Sequence, residues 1–196
     1  MPEHDKRTRQ ELDSALRKLL KRRPLEQLRI RELTELCGLR RQSFYYHFKD
    51  VYDLFDWSVQ RERAALLARQ EECLTWRQAL LSLLDRIAGN RAFYQAVLDQ
   101  SGTEGLKALV PLTRTLETVQ SYYRDRGGAP PDPEGEERER RCGEAVLLSL
   151  LEGWIRGRMA LTAEELTAAL ERTVERSAEG ALWQTLRERG AWSWTD

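Results

Sequence analysis

Residues 28–48, LRIRELTELCGLRRQSFYYHF, decide the fold that this sequence predicts. The stretch is typical of two short helices joined by a tight turn. Gly38 stands where the first helix has to end in a left-handed residue, a conformation that glycine adopts without a steric penalty. Leu33 and Leu36 supply apolar positions to the first helix, and Phe44 and Phe48 share one face of the second.

The opposite face of the second helix is basic and aromatic. A short amphipathic helix of this kind has the chemistry to enter the major groove of DNA as the recognition helix of a helix-turn-helix. Arginine can bind guanine through two hydrogen bonds, and glutamine can do the same with adenine. The side chains on this face are Arg41, Gln42, Ser43, Tyr45, Tyr46 and His47.

The net charge of zero conceals an uneven distribution. Residues 6–49 hold 13 Lys and Arg against 5 Asp and Glu, whereas residues 61–196 hold 19 against 22. A basic segment on a neutral chain is typical of phosphate binding. The charge distribution alone is equally consistent with a solvated basic helix. The helix-turn-helix pattern favours phosphate binding.

Residues 6–60 resemble the DNA-binding domain of TetR/AcrR-type transcriptional regulators. The resemblance lies in the run from Leu28 through Gly38 to the SFYYHFKD segment of residues 43–50. It implies an all-α fold, with an N-terminal three-helix helix-turn-helix DNA-binding domain over residues 1–60. A helical-bundle ligand-binding and dimerisation domain would occupy residues 61–196.

Resemblance and geometry together give each side chain of the recognition helix an expected role. Arg41, Gln42 and Ser43 should face base edges, because they lie at the N-terminal end of the helix. Tyr45 and His47 should bond to phosphates, and capping or core packing remains the alternative for His47. Tyr46 can pack on a thymine methyl group or a sugar.

Three further positive charges complete the predicted DNA-binding set. Arg29 and Arg40 occupy places where relatives usually have a capping Thr and Ser. Each arginine therefore gives up a helix cap worth about 1 kcal/mol of stability. Each also adds a positive charge towards a phosphate. Relatives commonly have a lysine where this chain has Val51. Lys49 is the candidate for the missing phosphate contact.

The rest of the chain has helical periodicity. Capping-box patterns begin at Thr8, Thr75 and Thr162, and Asp50 can cap the helix that follows the motif. Helices are predicted from Asn90, over residues 104–123 and over residues 138–158, with an exposed loop over residues 127–137. No apolar run approaches the ~20 residues of a membrane span, and no signal peptide is evident, so a cytoplasmic protein is expected.

The resulting expectation is a dimeric regulator, most simply a repressor, that binds a near-palindromic DNA operator. A small-molecule effector that binds in the C-terminal domain is a candidate for releasing the DNA. Five aromatic residues are candidates for lining its pocket, and core packing is their alternative role. The resemblance implies that the last two long helices of this domain pair with their copies in a second subunit. The apolar face on residues 138–158, with Gly153 and Gly157, fits that role, and intramolecular packing alone is the alternative. The pocket candidates are Trp76, Phe93, Tyr94, Tyr122 and Trp154.

Other functional classes have less support from the sequence. Only two histidines, His4 and His47, are present, and there is no GxSxG, HExxH, P-loop or CxxC motif, so no enzyme, metal site or cofactor is expected. Three widely separated cysteines give no disulfide framework. A helical co-regulator or interaction adaptor that does not itself read DNA remains the alternative.

Overall fold

The computed structural model describes residues 3–73, 75–112, 116 and 133–173, and within these ranges all regular structure is helical. The all-α fold class is therefore confirmed. The elements are α1 (Glu3–Leu20), a 3₁₀ turn (Leu25–Gln27), α2 (Ile30–Cys37), α3 (Arg41–His47), α4 (Val51–Glu71), α5 (Trp76–Gly89), α6 (Arg91–Leu109), α7 (Pro133–Ile155) and a further helix over residues 163–173.

The described residues divide into two compact units. Of these residues, unit 1 holds 3–67 and 89–110, and unit 2 holds 68–73, 75–88, 111–112, 116 and 133–173. In unit 1, α1 packs against α2 and α6, and α2 packs against α3. Its core is built from fully buried apolar side chains that follow the helical periodicity of the sequence, among them Leu12, Leu16, Leu33, Phe44, Leu54 and Phe93.

The turn between α2 and α3 has the predicted geometry. Gly38 lies in the left-handed region with a φ of 65°. The Leu39 amide donates to the Thr34 carbonyl at 2.9 Å, which closes the end of α2. α2 spans Ile30–Cys37 and α3 spans Arg41–His47, so both helices of the predicted motif are confirmed.

Capping predictions met different outcomes. Asp50 accepts the Asp53 amide at 2.9 Å at the start of α4, and Thr162 and Glu165 form a reciprocal box, with bonds of 3.1 and 2.8 Å. The Thr162 backbone amide, which donates to the Glu165 carboxylate, lowers the pKa of that group. The prediction for Thr8 is wrong: α1 already begins at Glu3, and Thr8 is buried inside it.

α6 is broken in the middle. Two separate helices were predicted across this region, and the structure has one helical stretch interrupted at Gly102, where φ is 59° and ψ is −157°. Asn90 precedes the helix as expected, but it makes no side-chain cap. Its side-chain oxygen instead accepts a hydrogen bond from Arg17.

The break gives a test of local strain. Gly102→Ala should lower the free energy of unfolding by about 1–3 kcal/mol, because that φ/ψ combination is essentially restricted to glycine. Gly89→Ala is the matched control, since Gly89 closes α5 with ordinary dihedrals and open space around an added Cβ. Chemical denaturation should show the control within about 1 kcal/mol of the parent protein. Equal losses in both variants would contradict a strained Gly102.

The predicted loop over residues 127–137 needs correction, because α7 begins at Pro133 and residues 133–137 are helical. Proline is tolerated in the first turn of a helix, where its missing N–H would have no intrahelical partner. Residues 127–132 lie outside the described residues. The pattern over residues 138–158 is helical as predicted, with its end at Ile155.

The two glycines expected to admit a second copy have roles within the chain. Gly157, with a φ of 75°, ends the helix, and the Arg158 amide donates to the Gly153 carbonyl at 2.8 Å. A Cβ at Gly153 would lie 3.2 Å from Cε of Met159, so this glycine admits a neighbouring side chain of its own subunit. Among the described helices, none is both long and apolar enough to cross a bilayer.

Candidate nucleic-acid interface

α3 has one buried face and one exposed face. Phe44 is fully buried and Phe48 is 4% exposed, so the face that the sequence gives to both rings is the buried one. On the opposite side, Tyr45 is 59% exposed and Tyr46 is 77% exposed. Exposed apolar residues that adjoin one another are more typical of a contact surface than scattered ones, and these two tyrosines are adjacent on one short helix.

The predicted DNA-contact residues are accessible in this arrangement. Ser43 and His47 are half-buried, and the His47 ring packs edge-on against Tyr46 with 5.0 Å between centroids. The side chains exposed to solvent are those of Arg29, Arg40, Arg41, Gln42, Tyr45, Tyr46 and Lys49.

The exposed cations of the predicted DNA-contact set differ from two neighbouring arginines, which form ion pairs with carboxylates. Arg23 is bound to Glu32 at 2.9 Å, and Arg31 is bound to Glu35 at 2.6 Å. The hydrogen bond to Glu35 raises the pKa of Arg31, which stays charged in any case. Within the described part of the chain, no carboxylate pairs with the side chains of Arg29, Arg40, Arg41 or Lys49. Four positive charges therefore remain available to an anion.

The residues preceding α2 and α3 are arginines that lack a capping acceptor. Arg29 and Arg40 both have extended backbones and no side-chain cap bond. A guanidinium has hydrogen-bond donors only, so neither arginine side chain can accept a hydrogen bond from a backbone amide of the helix. The Glu32 carboxylate accepts the Arg29 amide at 3.2 Å, which retains one half of a capping box.

Val51, at the position where a lysine was expected from the resemblance, is a core residue with 7% exposure. The Asp53 carboxylate accepts the Lys49 amide at 2.9 Å, and Asp50 caps the same turn. The first turn of α4 is therefore occupied by carboxylates. The exposed ammonium of Lys49 is the cation beside it.

Cys37, near the turn of the motif, does not have the properties of a reactive thiol. Burial, reinforced by the nearby Glu11 carboxylate, raises the pKa of Cys37. The thiol is consequently protonated at neutral pH, and it is the thiolate that acts as nucleophile or metal ligand. Among the described residues, no group of three His, Cys, Asp or Glu side chains is arranged to hold a metal ion.

Four of the five candidate ligand-pocket residues are buried. Phe93 and Tyr94 lie in unit 1, and Trp76 and Trp154 lie in unit 2. The Tyr94 hydroxyl donates to Oε1 of Glu62 at 2.8 Å, and the Trp154 indole donates to the Leu161 carbonyl at 2.7 Å. Tyr122 lies outside the described residues.

Sequence reasoning missed a charged cluster inside unit 1, which we call the Arg17 cluster (Asp13, Arg17, Glu62, Asn90, Phe93 and Tyr94). Nε of Arg17 donates to Oδ1 of Asp13 at 3.1 Å, and Nη2 lies 3.0 Å from Oε2 of Glu62. Nη1 reaches Oδ1 of Asn90 at 3.4 Å. The guanidinium also lies 4.1 Å from the centre of the Phe93 ring.

The acids of the Arg17 cluster are almost completely buried. Asp13 is 4% exposed and Glu62 is 1% exposed. Arg61 adds a second cation, with Nη1 2.6 Å from Oδ2 of Asp13. The spacing of Asp13 and Arg17 beside the apolar stripe of α1 was the available signal, but it does not reveal partners on α4 and α6.

No protein-family model matches this chain. A 90-residue segment, 46% of the chain, is 26% identical to the HTH-type dhaKLM operon transcriptional activator DhaS of Lactococcus lactis subsp. lactis (strain IL1403). The chain thus spans about half, 48%, of the length of this curated relative.

Three solved structures are similar over most of the chain. The dihydroxyacetone kinase operon activator DhaS has a TM-score of 0.69 at 19% identity, covering 88% of this chain and 96% of its own. A tetR-family transcriptional regulator from Streptomyces coelicolor has a TM-score of 0.62 at 18% identity, covering 93% and 89%. The superantigen PfiT has a TM-score of 0.53 at 23% identity, covering 90% and 97%.

These similarities confirm the predicted resemblance at the level of the fold, which is that of TetR-type regulators: a helix-turn-helix followed by a helical bundle. The name of PfiT describes a different role on a similar fold. Function therefore has to be argued from the residues on the surface.

Proposed function

We propose that this chain is a transcriptional regulator that binds double-stranded DNA through the exposed face of α3. The observation that carries this proposal is the division of α3 into an aromatic anchor and a polar, aromatic outer face, bordered by four cations that pair with no carboxylate of the described residues. A helix with one buried face and one reading face fits the major groove.

The side chains divide by chemistry into base readers and phosphate binders. Arg41 and Gln42 are the residues with two-pronged hydrogen-bonding groups at the N-terminal end of α3, so we assign them to base edges. Arg29, Arg40 and Lys49 are exposed cations beside that helix, and we assign them to phosphates. The aromatic face is assigned to sugars and thymine methyl groups.

The proposed active species is a homodimer. A seven-residue recognition helix reaches only a few base pairs, so specific binding requires two heads on a near-palindromic operator. The half-sites should be spaced by about one helical turn, ~34 Å, or a multiple of it. Val146 on α7, an apolar side chain with 58% exposure, is a candidate for the contact between copies.

Whether the protein represses or activates transcription is determined by its effect on expression from a promoter. The family resemblance favours a cytoplasmic repressor that a small molecule releases, whereas DhaS is named an activator. A reporter gene placed behind the selected operator distinguishes the two. Higher expression after deletion of this protein supports repression, and lower expression supports activation.

The proposal is tested by selecting from random duplexes with the purified full chain. Enrichment of a two-fold symmetric site supports the regulator. Recovery of random sequences by a folded protein would support the adaptor that does not read DNA.

The phosphate assignment predicts a specific salt dependence. Lys49→Ala and Arg40→Ala should each flatten the slope of log K against log salt by about 0.9 per head, because each removes one phosphate contact and its released counterion. Fluorescence anisotropy with the selected duplex at several salt concentrations measures the slope. Arg172→Ala, an equal loss of charge on the helix over residues 163–173, should leave it unchanged. A slope unaffected by both interface variants would contradict the assignment.

A further inference from the structure

We propose that Arg17 is a positioning residue for DNA recognition, because it fixes the helix-turn-helix in a single orientation on α4 and α6. The inference rests on the proposed function, and it concerns residues that lie inside unit 1 rather than on the DNA-binding surface. Its predicted consequence is a strict preference for one half-site spacing in the operator.

Arg17 bonds to three different parts of unit 1. The guanidinium of Arg17 contacts an acid on its own helix (Asp13), an acid on α4 (Glu62) and an amide immediately before α6 (Asn90). The Tyr94 hydroxyl of α6 binds the other oxygen of Glu62 at 2.8 Å. The Arg17 guanidinium therefore bonds α1 to α4 and to the residue before α6, and Glu62 in turn joins α4 to Tyr94 of α6.

The Arg17 cluster places charges within an interior that is otherwise largely apolar. Burying charges costs desolvation energy, and a well-packed apolar replacement is often as stable or more stable. Apolar side chains make no directional bonds, whereas a fork of hydrogen bonds to fixed acceptors is satisfied in one arrangement. The Arg17 cluster therefore contributes orientation more than stability.

α1 is connected to the recognition helix through α2. α1 packs on α2, and α2 packs on α3 through the core that contains Leu33 and Phe44. Rigid packing transmits the position of α1 to α3, because close-packed side chains have little room to rearrange. A tilt of α1 on α4 and α6 would therefore move the reading face as well.

The decisive variant removes the charges of Asp13, Arg17 and Glu62 together. The triple substitution Asp13→Asn, Arg17→Met, Glu62→Gln approximately preserves side-chain volumes and keeps an acceptor for the Tyr94 hydroxyl. Two milder variants remove only part of the hydrogen bonding. Arg17→Lys keeps the positive charge but loses the guanidinium fork, and Tyr94→Phe keeps the ring but loses the hydroxyl bond to Glu62. Ser58→Ala is the matched control: Ser58 is fully buried on α4, and its hydroxyl donates to the Leu54 carbonyl of the same helix.

The first readout is operator spacing. We expect the parent protein to lose affinity when one base pair is inserted between the half-sites, and the triple variant to lose about 2- to 30-fold less. Binding to random-sequence DNA and the melting temperature should be similar for the triple variant and Ser58→Ala. An unchanged spacing penalty in a folded triple variant would overturn the proposal. If the triple variant does not fold, Arg17→Lys and Tyr94→Phe are measured instead and decide in the same way.

The second readout does not depend on DNA. Spin labels at Leu36→Cys on α2 and Arg63→Cys on α4, with the native cysteines replaced by serine, report the distance between the motif and α4. We expect one narrow distance distribution in the parent background and a broadened one in the triple variant. Identical distributions would overturn the inference even if DNA binding is confirmed. Failure of the parent protein to select any duplex would overturn the proposed function while leaving this measurement interpretable.

Discussion

Replacing Gln42 with alanine is expected to weaken binding to the selected operator by about 1–3 kcal/mol for each base that the side chain no longer reads, and Arg41→Ala is expected to do the same. Both side chains project from the exposed face of α3, so neither variant should lose stability. Because a two-fold dimer carries each substitution twice, the total effect should exceed that of one substituted head.

The two variants should differ in their effect on non-specific DNA. Gln42→Ala keeps the net charge and should leave binding to random duplexes unchanged, whereas Arg41→Ala also removes a cation and should weaken it slightly. Competition titrations with operator and random duplexes measure both effects, with Arg172→Ala as the matched control for charge. A Gln42→Ala protein with parental discrimination between operator and random DNA would refute its role as a base reader.

Replacing Phe44 with alanine is expected to lower the free energy of unfolding by about 3–5 kcal/mol, because this fully buried ring would leave a cavity in the core of the motif. The ring also packs against Tyr45 and Phe48, with centroids 5.8 Å away in both pairs. Denaturation monitored by circular dichroism measures the loss.

Tyr46→Ala is the matched aromatic truncation on the same helix. With 77% of Tyr46 exposed, its stability cost should stay below about 0.5 kcal/mol, while affinity for the operator should fall. The pair of variants separates anchoring from reading. A large loss of stability in Tyr46→Ala, or a small one in Phe44→Ala, would mean that the two faces of α3 have been assigned the wrong way round.

The helix-turn-helix could be predicted from the sequence because its signals are local. Gly38 supplies the left-handed turn, and the spacing of Phe44 and Phe48 specifies which side of α3 is buried. Exposure of the reading face follows from the same periodicity. These features depend on residues within a few positions of one another.

Sequence-based predictions were wrong where a local pattern has two structural meanings. Thr8 begins a capping-box pattern, but the pattern does not show whether a helix is already running, and α1 starts five residues earlier, at Glu3. The proline-rich stretch reads as a loop, yet Pro133 occupies the first position of α7. Proline and capping residues mark a boundary without saying on which side of it the helix lies.

The Arg17 cluster could not be predicted because its bonds connect distant parts of the chain. Arg17 and Asn90 are 73 positions apart, and Tyr94 and Glu62 are 32 apart. Each of these residues, taken alone, resembles an ordinary polar position on a helix. Only the packing of α1, α4 and α6 against one another shows that they meet.

The most direct test of the central claim, that the exposed face of α3 reads bases, is random-duplex selection carried out in parallel with the parent protein and with Gln42→Ala. The account predicts a two-fold symmetric consensus for the parent, and for the variant a relaxed preference at one symmetric pair of positions with the others retained. An identical consensus from both proteins, or no consensus from a folded parent, would contradict it.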